Sequence, residues 1–338
     1  RSVMSVRMIA EWEEQSAVLL ALPHKNSDWS PYFDEISAFY KSLIEAITRF
    51  EKVVLVCENA REAKERLKND RVIYIEAPCN DTWARDFGAI TIEENGAIAA
   101  LDFEFNGWGL KYAANFDNQI NAALKNSGVF GAAKSRKTGW ILEGGSVETD
   151  GKGAIMTTET CLFAPNRNAN WTKADFEAAF RRDLGASRVL WIANGLLEND
   201  DTDGHIDTLA RFCDRDTIAF VGCRDENDSH FESLSAMKAE IYAFKKADGS
   251  PYRLVELPMC DPIYFNGERL PATYANFLII NGAVIAPVYG VKSDRAALEI
   301  LRNLFPTREI IPIDASIAAR QRGSIHCLTM QLHTPLNL

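Results

Sequence analysis

Apolar residues fall into short runs that pair across glycine or asparagine turns, each pair leading into a stretch with helical spacing. Residues 89–105 read as one hairpin, turning at Asn95-Gly96, a dipeptide that accepts positive φ at both positions. A second spans 140–158 and turns at Asp150-Gly151. A third spans 206–222 with its turn near Asp214-Arg215-Asp216, and a fourth spans 276–290 with its turn at Asn281-Gly282. Amphipathic segments follow at 116–126, 172–184, 230–246 and 294–304, with apolar positions recurring every three to four residues. Further strands are predicted at 188–193, 252–257 and 308–313, while none is evident after 116–126. Two strands stand alone, 16–22 near the start and 324–332 near the end. Pairing them would complete a fifth hairpin and close a ring, which removes exposed sheet edges. A helix over 32–50 and strands at 53–57 and 72–76 would finish that unit.

Residues able to do chemistry keep phase with this repeat. Asp86 lies just before the first hairpin, Glu143 at the start of the second and His205 at the start of the third. Asn276 starts the fourth, and Cys327 lies in the fifth. In a ring of radial units, equivalent strand starts converge on the axis, so five remote positions become one pocket.

The 338 residues suffice for a large core. Length alone allows two domains, but no linker divides the chain, and a single domain over 8–338 is expected. Residues 1–7 are expected to be disordered or a remnant of expression cloning. The net charge of −10, with no basic stripe, argues against nucleic acid or an anionic membrane as partner and suits a cationic substrate. A homo-oligomer is allowed. Seven cysteines without Cys-x-x-Cys spacing argue against a disulfide scaffold. With no apolar leader segment before Met8 and no membrane-length run, the expected setting is the reducing cytoplasm. Cys57, Cys161, Cys213 and Cys223 read as buried small hydrophobes, and His24, His230 and His333 as surface or turn residues.

Trp83-Ala84-Arg85-Asp86 offers a carboxylate that can hold a guanidinium through two parallel hydrogen bonds. The same Asp could simply cap a turn before Gly88. Trp83 offers an apolar or cation–π wall to a substrate, or is a core residue. His205-Ile206-Asp207, read as a strand, puts both polar side chains on one face, an acid/base beside a carboxylate clamp. A metal site on His205 and Asp207 is the rival, although no other histidine has useful metal spacing. Asp200-Asp201-Thr202-Asp203 reads as a solvated loop that could also help recruit a cation. Glu143, beside Gly144-Gly145, could reach His205, fix its tautomer and favour the imidazolium. Cys327 is the candidate nucleophile; an ordinary thiol, with a pKa near ~8.5, needs His205, a bound cation or both to ionise at neutral pH. His326 would point to the opposite strand face, which leaves it out of the acid/base role. Gly323 permits close backbone approach.

The chain resembles the agmatine deiminase and bacterial peptidylarginine deiminase family of the guanidine-modifying pentein superfamily. The resemblance spans nearly the whole sequence: Ala10-Glu11-Trp12-Glu13, Leu22-Pro23-His24, Trp83-Ala84-Arg85-Asp86, Phe105-Asn106-Gly107-Trp108-Gly109 with Lys111-Tyr112, Glu143-Gly144-Gly145, Asn166-Arg167-Asn168, Gly204-His205-Ile206-Asp207, Tyr274-Ala275-Asn276-Phe277 and Ile325-His326-Cys327. It implies a five-bladed pseudo-symmetric α/β propeller. It also implies Cys327 as nucleophile, His205 as general acid/base, Glu143 as its orienting carboxylate, and Asp86 and Asp207 as guanidinium clamps. The chain departs from the family pattern at Arg322-Gly323-Ser324, at Thr208 and at Ala89. The expected reaction is hydrolysis of agmatine to N-carbamoylputrescine and ammonia, with neither metal nor organic cofactor, and with Trp83 and Asn276 joining the clamps as substrate contacts. The alternatives are the same chemistry on arginine, peptidyl-arginine or a methylated arginine, a non-catalytic binding protein for cationic amines, and a metal-dependent hydrolase. A free-arginine enzyme would need a cation for the α-carboxylate, for which Arg85, Arg167 and Lys111 are candidates.

Overall fold

The structure is a computed structural model and describes residues 5–333 and 335–337. Five sheets share one build: an antiparallel hairpin whose second strand pairs in parallel with a strand reached through a helix. The first holds Val6–Met8, Ile90–Glu94, Ala97–Glu104 and Lys134–Ile141 in that spatial order. The second orders Val147–Thr149, Ala154–Thr158 and Arg188–Ile192. The third orders Ala210–Phe212, Thr217–Val221 and Arg253–Leu257, and the fourth Leu278–Ile280, Ala283–Val288 and Glu309–Asp314.

The fifth joins the two ends of the chain. Met330–Leu332 pairs antiparallel with Ala17–Ala21, which pairs in parallel with Lys52–Cys57 and, beyond it, Val72–Glu76. The central strands read Ala-Val-Leu-Leu-Ala and Lys-Val-Val-Leu-Val-Cys, continuous apolar runs of the kind that parallel strands show when both faces are buried. Helix Phe33–Thr48 covers them with Ile36, Phe39, Tyr40, Leu43, Ile44 and Ile47, the three-and-four spacing of one buried face. Among the described residues no helix is long and apolar enough to cross a membrane.

The expected hairpins at 89–105, 206–222 and 276–290 form with the predicted turns. The strand not evident after 116–126 is Lys134–Ile141. It reads Lys-Ser-Arg-Lys-Thr-Gly-Trp-Ile with alternating partial exposure, so hydropathy does not mark it. Trp140, expected in the second hairpin, belongs to this strand of the first sheet. The N-terminal expectation is also corrected, since Val6 and Arg7 lie in a strand paired with Glu94 and Glu93. His230 and His333, expected as surface or turn residues, are buried, His230 in the turn before helix Phe231–Ala243. His230 Nε2 accepts from the Glu198 N–H, and His333 Nδ1 lies 2.7 Å from Thr91 Oγ1.

Candidate active site

Each inner strand is preceded by a tight turn, and these turns carry the candidate residues. Asp86 sits on the one-turn helix Ala84–Phe87, ahead of Ile90. Glu143 precedes the 3-10 turn Gly144–Ser146, ahead of Val147. His205 precedes, and Asp207 lies within, the 3-10 turn Ile206–Thr208. Cys327 lies in a turn ahead of Met330. Two expectations are thereby corrected. The segments 205–207 and 324–329 are turns, not strands, and strand pairing begins only at Ala210 and Met330. Side-chain alternation therefore governs neither His205 and Asp207 nor His326 and Cys327.

Asp86, His205, Asp207 and Gly145 converge. A Cβ built on Gly145 would lie 2.6 Å from His205 Nδ1, 2.8 Å from Asp86 Oδ1 and 3.1 Å from Asp207 Oδ2. Cys327 Sγ lies 3.8 Å from the same Asp207 oxygen. Asp86 Oδ1 accepts from the Gly145 N–H at 3.0 Å and Oδ2 from Trp108 Nε1 at 2.8 Å. Burial pushes the Asp86 carboxyl up to about 6, with Asp207 and Glu143 adding to the rise and His205 and Trp108 resisting it.

His205 is fully buried between two acids, Nδ1 lying 3.6 Å from Asp86 Oδ1 and Nε2 3.5 Å from Glu143 Oε1. Burial disfavours its charge, but Asp86, Cys161 and Glu143 outweigh burial and hold the imidazolium well above the usual histidine range. Among the described residues, both its nitrogens and Asp207 Oδ1 have no hydrogen-bond partner. Buried polar groups are rarely left so, which marks the cluster as a candidate binding site. Arg167 Nε donates to Glu143 Oε1 at 2.7 Å. Burial opposes the charge on Glu143, but His205 and Arg167 hold the carboxyl down at about 2. Burial, then Asp207 and Asp86, keep the Cys327 thiol neutral well above the ordinary range. A guanidinium between those two carboxylates would reverse that field.

The cavity above has a volume of about 320 Å³. Cys327 and Asp86 line its base, Trp83, Trp108, Tyr112, Tyr32 and Phe265 its walls, and Asp28, Asp81, Asp201, Glu268, Arg320 and Arg322 its remaining charged lining. Trp83 is buried in the core and also borders the cavity, and its ring lies so close over the chain that a Cβ on Gly323 would come within 2.1 Å of Cζ3. His205 and Asp207, with no exposed surface, lie beneath the lining. Asn276, like Asp207 and His205, is fully buried and outside the lining. Its Oδ1 accepts the Cys327 N–H at 3.1 Å and its Nδ2 donates to the Asp207 carbonyl, so it braces the nucleophile's backbone from behind.

The three cations considered for an α-carboxylate lie elsewhere. Arg85 faces Glu11 at 3.4 Å, Arg167 is bonded to Glu143 and Asp203, and Lys111 lies 2.7 Å from Asp203. The two arginines that do line the cavity are also paired, Arg320 with Glu35 and Arg322 with Glu268. Among the described residues Asp28, Asp81 and Asp201 form no ion pair.

Trp108 was not singled out as a site residue. It lies in a strained loop where Gly107, Trp108, Gly109 and Leu110 have φ of 72°, 58°, 79° and 67°. Such backbone is costly for Trp and Leu and concentrates at functional sites. Glu143, Cys161 and His205 offer oxygen, sulfur and nitrogen atoms within 4.8 Å of one another. This group excludes Asp207, and Arg167 already sets a cation against its carboxylate.

Two buried carboxylates, a thiol 3.8 Å from one of them and an imidazole set between acids are thus grouped at the base of one cavity. The sequence profile of the Porphyromonas-type peptidyl-arginine deiminases matches residues 7–333, and the chain belongs to that family. It is 30% identical over 353 residues to an agmatine deiminase of Stutzerimonas stutzeri, covering 97% of this chain and 95% of the relative. A cysteine-to-serine variant of a C. jejuni agmatine deiminase, solved with substrate bound, superposes with a TM-score of 0.93 at 39% identity, covering 99% of this chain and 98% of the other. The DDAH of Pseudomonas aeruginosa, 12% identical with a TM-score of 0.55, covers 94% of this chain and 100% of its own and shares the fold alone.

Proposed function

We propose that this chain hydrolyses agmatine to N-carbamoylputrescine and ammonia, and that its five sheets act as blades of a propeller whose axis is the site. Asp86 and Asp207 grip the guanidinium, whose charge offsets the field that keeps the thiol neutral, and the thiol proton leaves to solvent as the cation binds. The Cys327 thiolate attacks the central carbon and forms a tetrahedral adduct. The His205 imidazolium, oriented by Glu143, gives its proton to the departing nitrogen; ammonia leaves and an S-alkylthiouronium remains on Cys327. His205 then takes a proton from water, which adds to the same carbon, and collapse expels the thiolate and releases the ureido product. No step requires a metal.

One observation carries the choice of substrate. Among the described residues, both cations lining the cavity are paired, while three carboxylates that line it are not. That lining suits the distal ammonium of agmatine and offers no free cation to the α-carboxylate of arginine. Trp83, Trp108 and Tyr112 supply walls for the tetramethylene chain. Ammonia release measured on agmatine, arginine and a C-terminal-arginine peptide tests the reading. The largest kcat/KM is expected for agmatine, and a preference for either arginine substrate would refute it.

A further inference from the structure

Behind the thiol lies a histidine that the reaction above does not use. His326 is buried, with Nδ1 2.8 Å from Asp207 Oδ2 and Nε2 2.6 Å from Glu11 Oε1. Both carboxyls are held ionised: burial opposes this in each, but Arg211 and His326 prevail at Glu11, and His326 at Asp207. Each ring nitrogen thus lies within hydrogen-bond distance of a carboxylate oxygen, and Nδ1 is placed to donate to Asp207 Oδ2. Glu11 is itself fixed, accepting from Arg211 Nη2 at 2.7 Å and from the Ile279 N–H at 3.0 Å. Arg85 Nε donates to the His326 carbonyl at 3.3 Å.

The oxygen that His326 binds is the one facing the nucleophile. Asp207 Oδ2 is 3.8 Å from Cys327 Sγ. An unsatisfied carboxylate oxygen at that distance would oppose a thiolate. An N–H on the same oxygen draws its charge away from sulfur and fixes the rotation of the carboxyl, leaving Oδ1 as the oxygen without a protein partner. The other titratable groups around the sulfur and the ring are Asp86, His205, Tyr289, Glu11, Glu148, Arg85 and Arg211; among the described residues, none donates to Oδ2.

We propose that His326 is a positioning residue of the reaction: by donating to Asp207 Oδ2 it fixes the clamp and shields the Cys327 sulfur from the clamp's charge, while Glu11 holds the ring. This rests on Cys327 being the nucleophile. The two faces of the ring can be separated, because His326→Asn keeps an N–H near the Nδ1 position and His326→Gln keeps one near the Nε2 position. The measurement is the pH dependence of Cys327 alkylation by iodoacetamide on the purified full chain, with the modified residue located by peptide mass spectrometry, alongside kcat and KM for agmatine. In H326Q the alkylation midpoint should rise by about one pH unit and kcat/KM fall about 10–100-fold, the scale of one lost hydrogen bond to a charged group. H326N should keep the wild-type midpoint. An unshifted midpoint in H326Q, or equal shifts in both variants, overturns the proposal. Independently of variant folding, 15N NMR of the wild-type ring should show a proton on Nδ1; a bare nitrogen towards Asp207 overturns it. A wild-type chain in which Cys327 resists alkylation at every pH would instead refute the nucleophile reading, and this inference with it.

Discussion

Gly145 is where a single methyl group should stop the reaction without unfolding the chain. Its backbone lies outside the left-handed region, so alanine is conformationally allowed. The added Cβ would sit 2.6 Å from His205 Nδ1, 2.8 Å from Asp86 Oδ1 and 3.1 Å from Asp207 Oδ2. Ordinary contact needs more than about 3.4 Å, so each group must retreat by several tenths of an ångström in a close-packed interior. The two carboxylates would no longer meet one guanidinium together. Two charge-assisted hydrogen bonds, at about 1.5–3 kcal/mol each, correspond to a loss of about 10²–10⁴ in kcat/KM. The cost in stability is that of overpacking, about 1–3 kcal/mol. Ammonia release gives the first quantity, and denaturant unfolding the second. A Gly145→Ala enzyme that loses less than about tenfold in kcat/KM would refute the idea that these three side chains enclose the reacting group.

Other consequences follow from the same geometry. Trp108→Phe keeps the ring but removes the donor to Asp86 Oδ2; since Asp86 must be ionised to hold a cation, and that donor favours ionisation, the acid limb of kcat/KM, expected near 6 in the wild type, should move to higher pH, and an unmoved limb contradicts the assignment. Asp201→Asn should raise KM for agmatine about fivefold, with kcat nearly unchanged, the scale of one partly solvated ion pair. Glu143 is held at about 2 against an ordinary 4.5, so its contribution to stability is present above the ordinary value and lost as pH falls from there towards 2. The difference in unfolding free energy between wild type and Glu143→Gln should accordingly shrink by of order 3 kcal/mol across that interval, and a constant difference would contradict it.

Asp86, Glu143, His205, Asp207 and Cys327 were legible because each stands at the same point of a repeating unit, the turn before an inner strand. Phase in the repeat carried that inference, and it survived a local error: the turns themselves were read as strands. The error had a cost at His326. Strand parity sent its side chain away from the site, whereas a tight turn lets both His326 and Cys327 address Asp207. Asn276 kept phase too, but its amide is consumed by the backbone of Cys327 and by the Asp207 carbonyl, which periodicity cannot reveal. Lys134–Ile141 was hidden because a partly exposed outer strand need not be apolar. Arg85, Arg167 and Lys111 pair with Glu11, Glu143 and Asp203, which lie 74, 24 and 92 positions away, and the sequence does not show that pairing.

The central claim is a bond between the sulfur of residue 327 and the carbon of a guanidine. Rapid acid quench of the enzyme turning over agmatine, followed by peptide mass spectrometry, tests it directly. The account predicts an amidine adduct on Cys327 that accumulates before steady state and disappears once substrate is exhausted. Ammonia released by a Cys327→Ala protein at the wild-type rate, or an adduct carried by another residue, would contradict it.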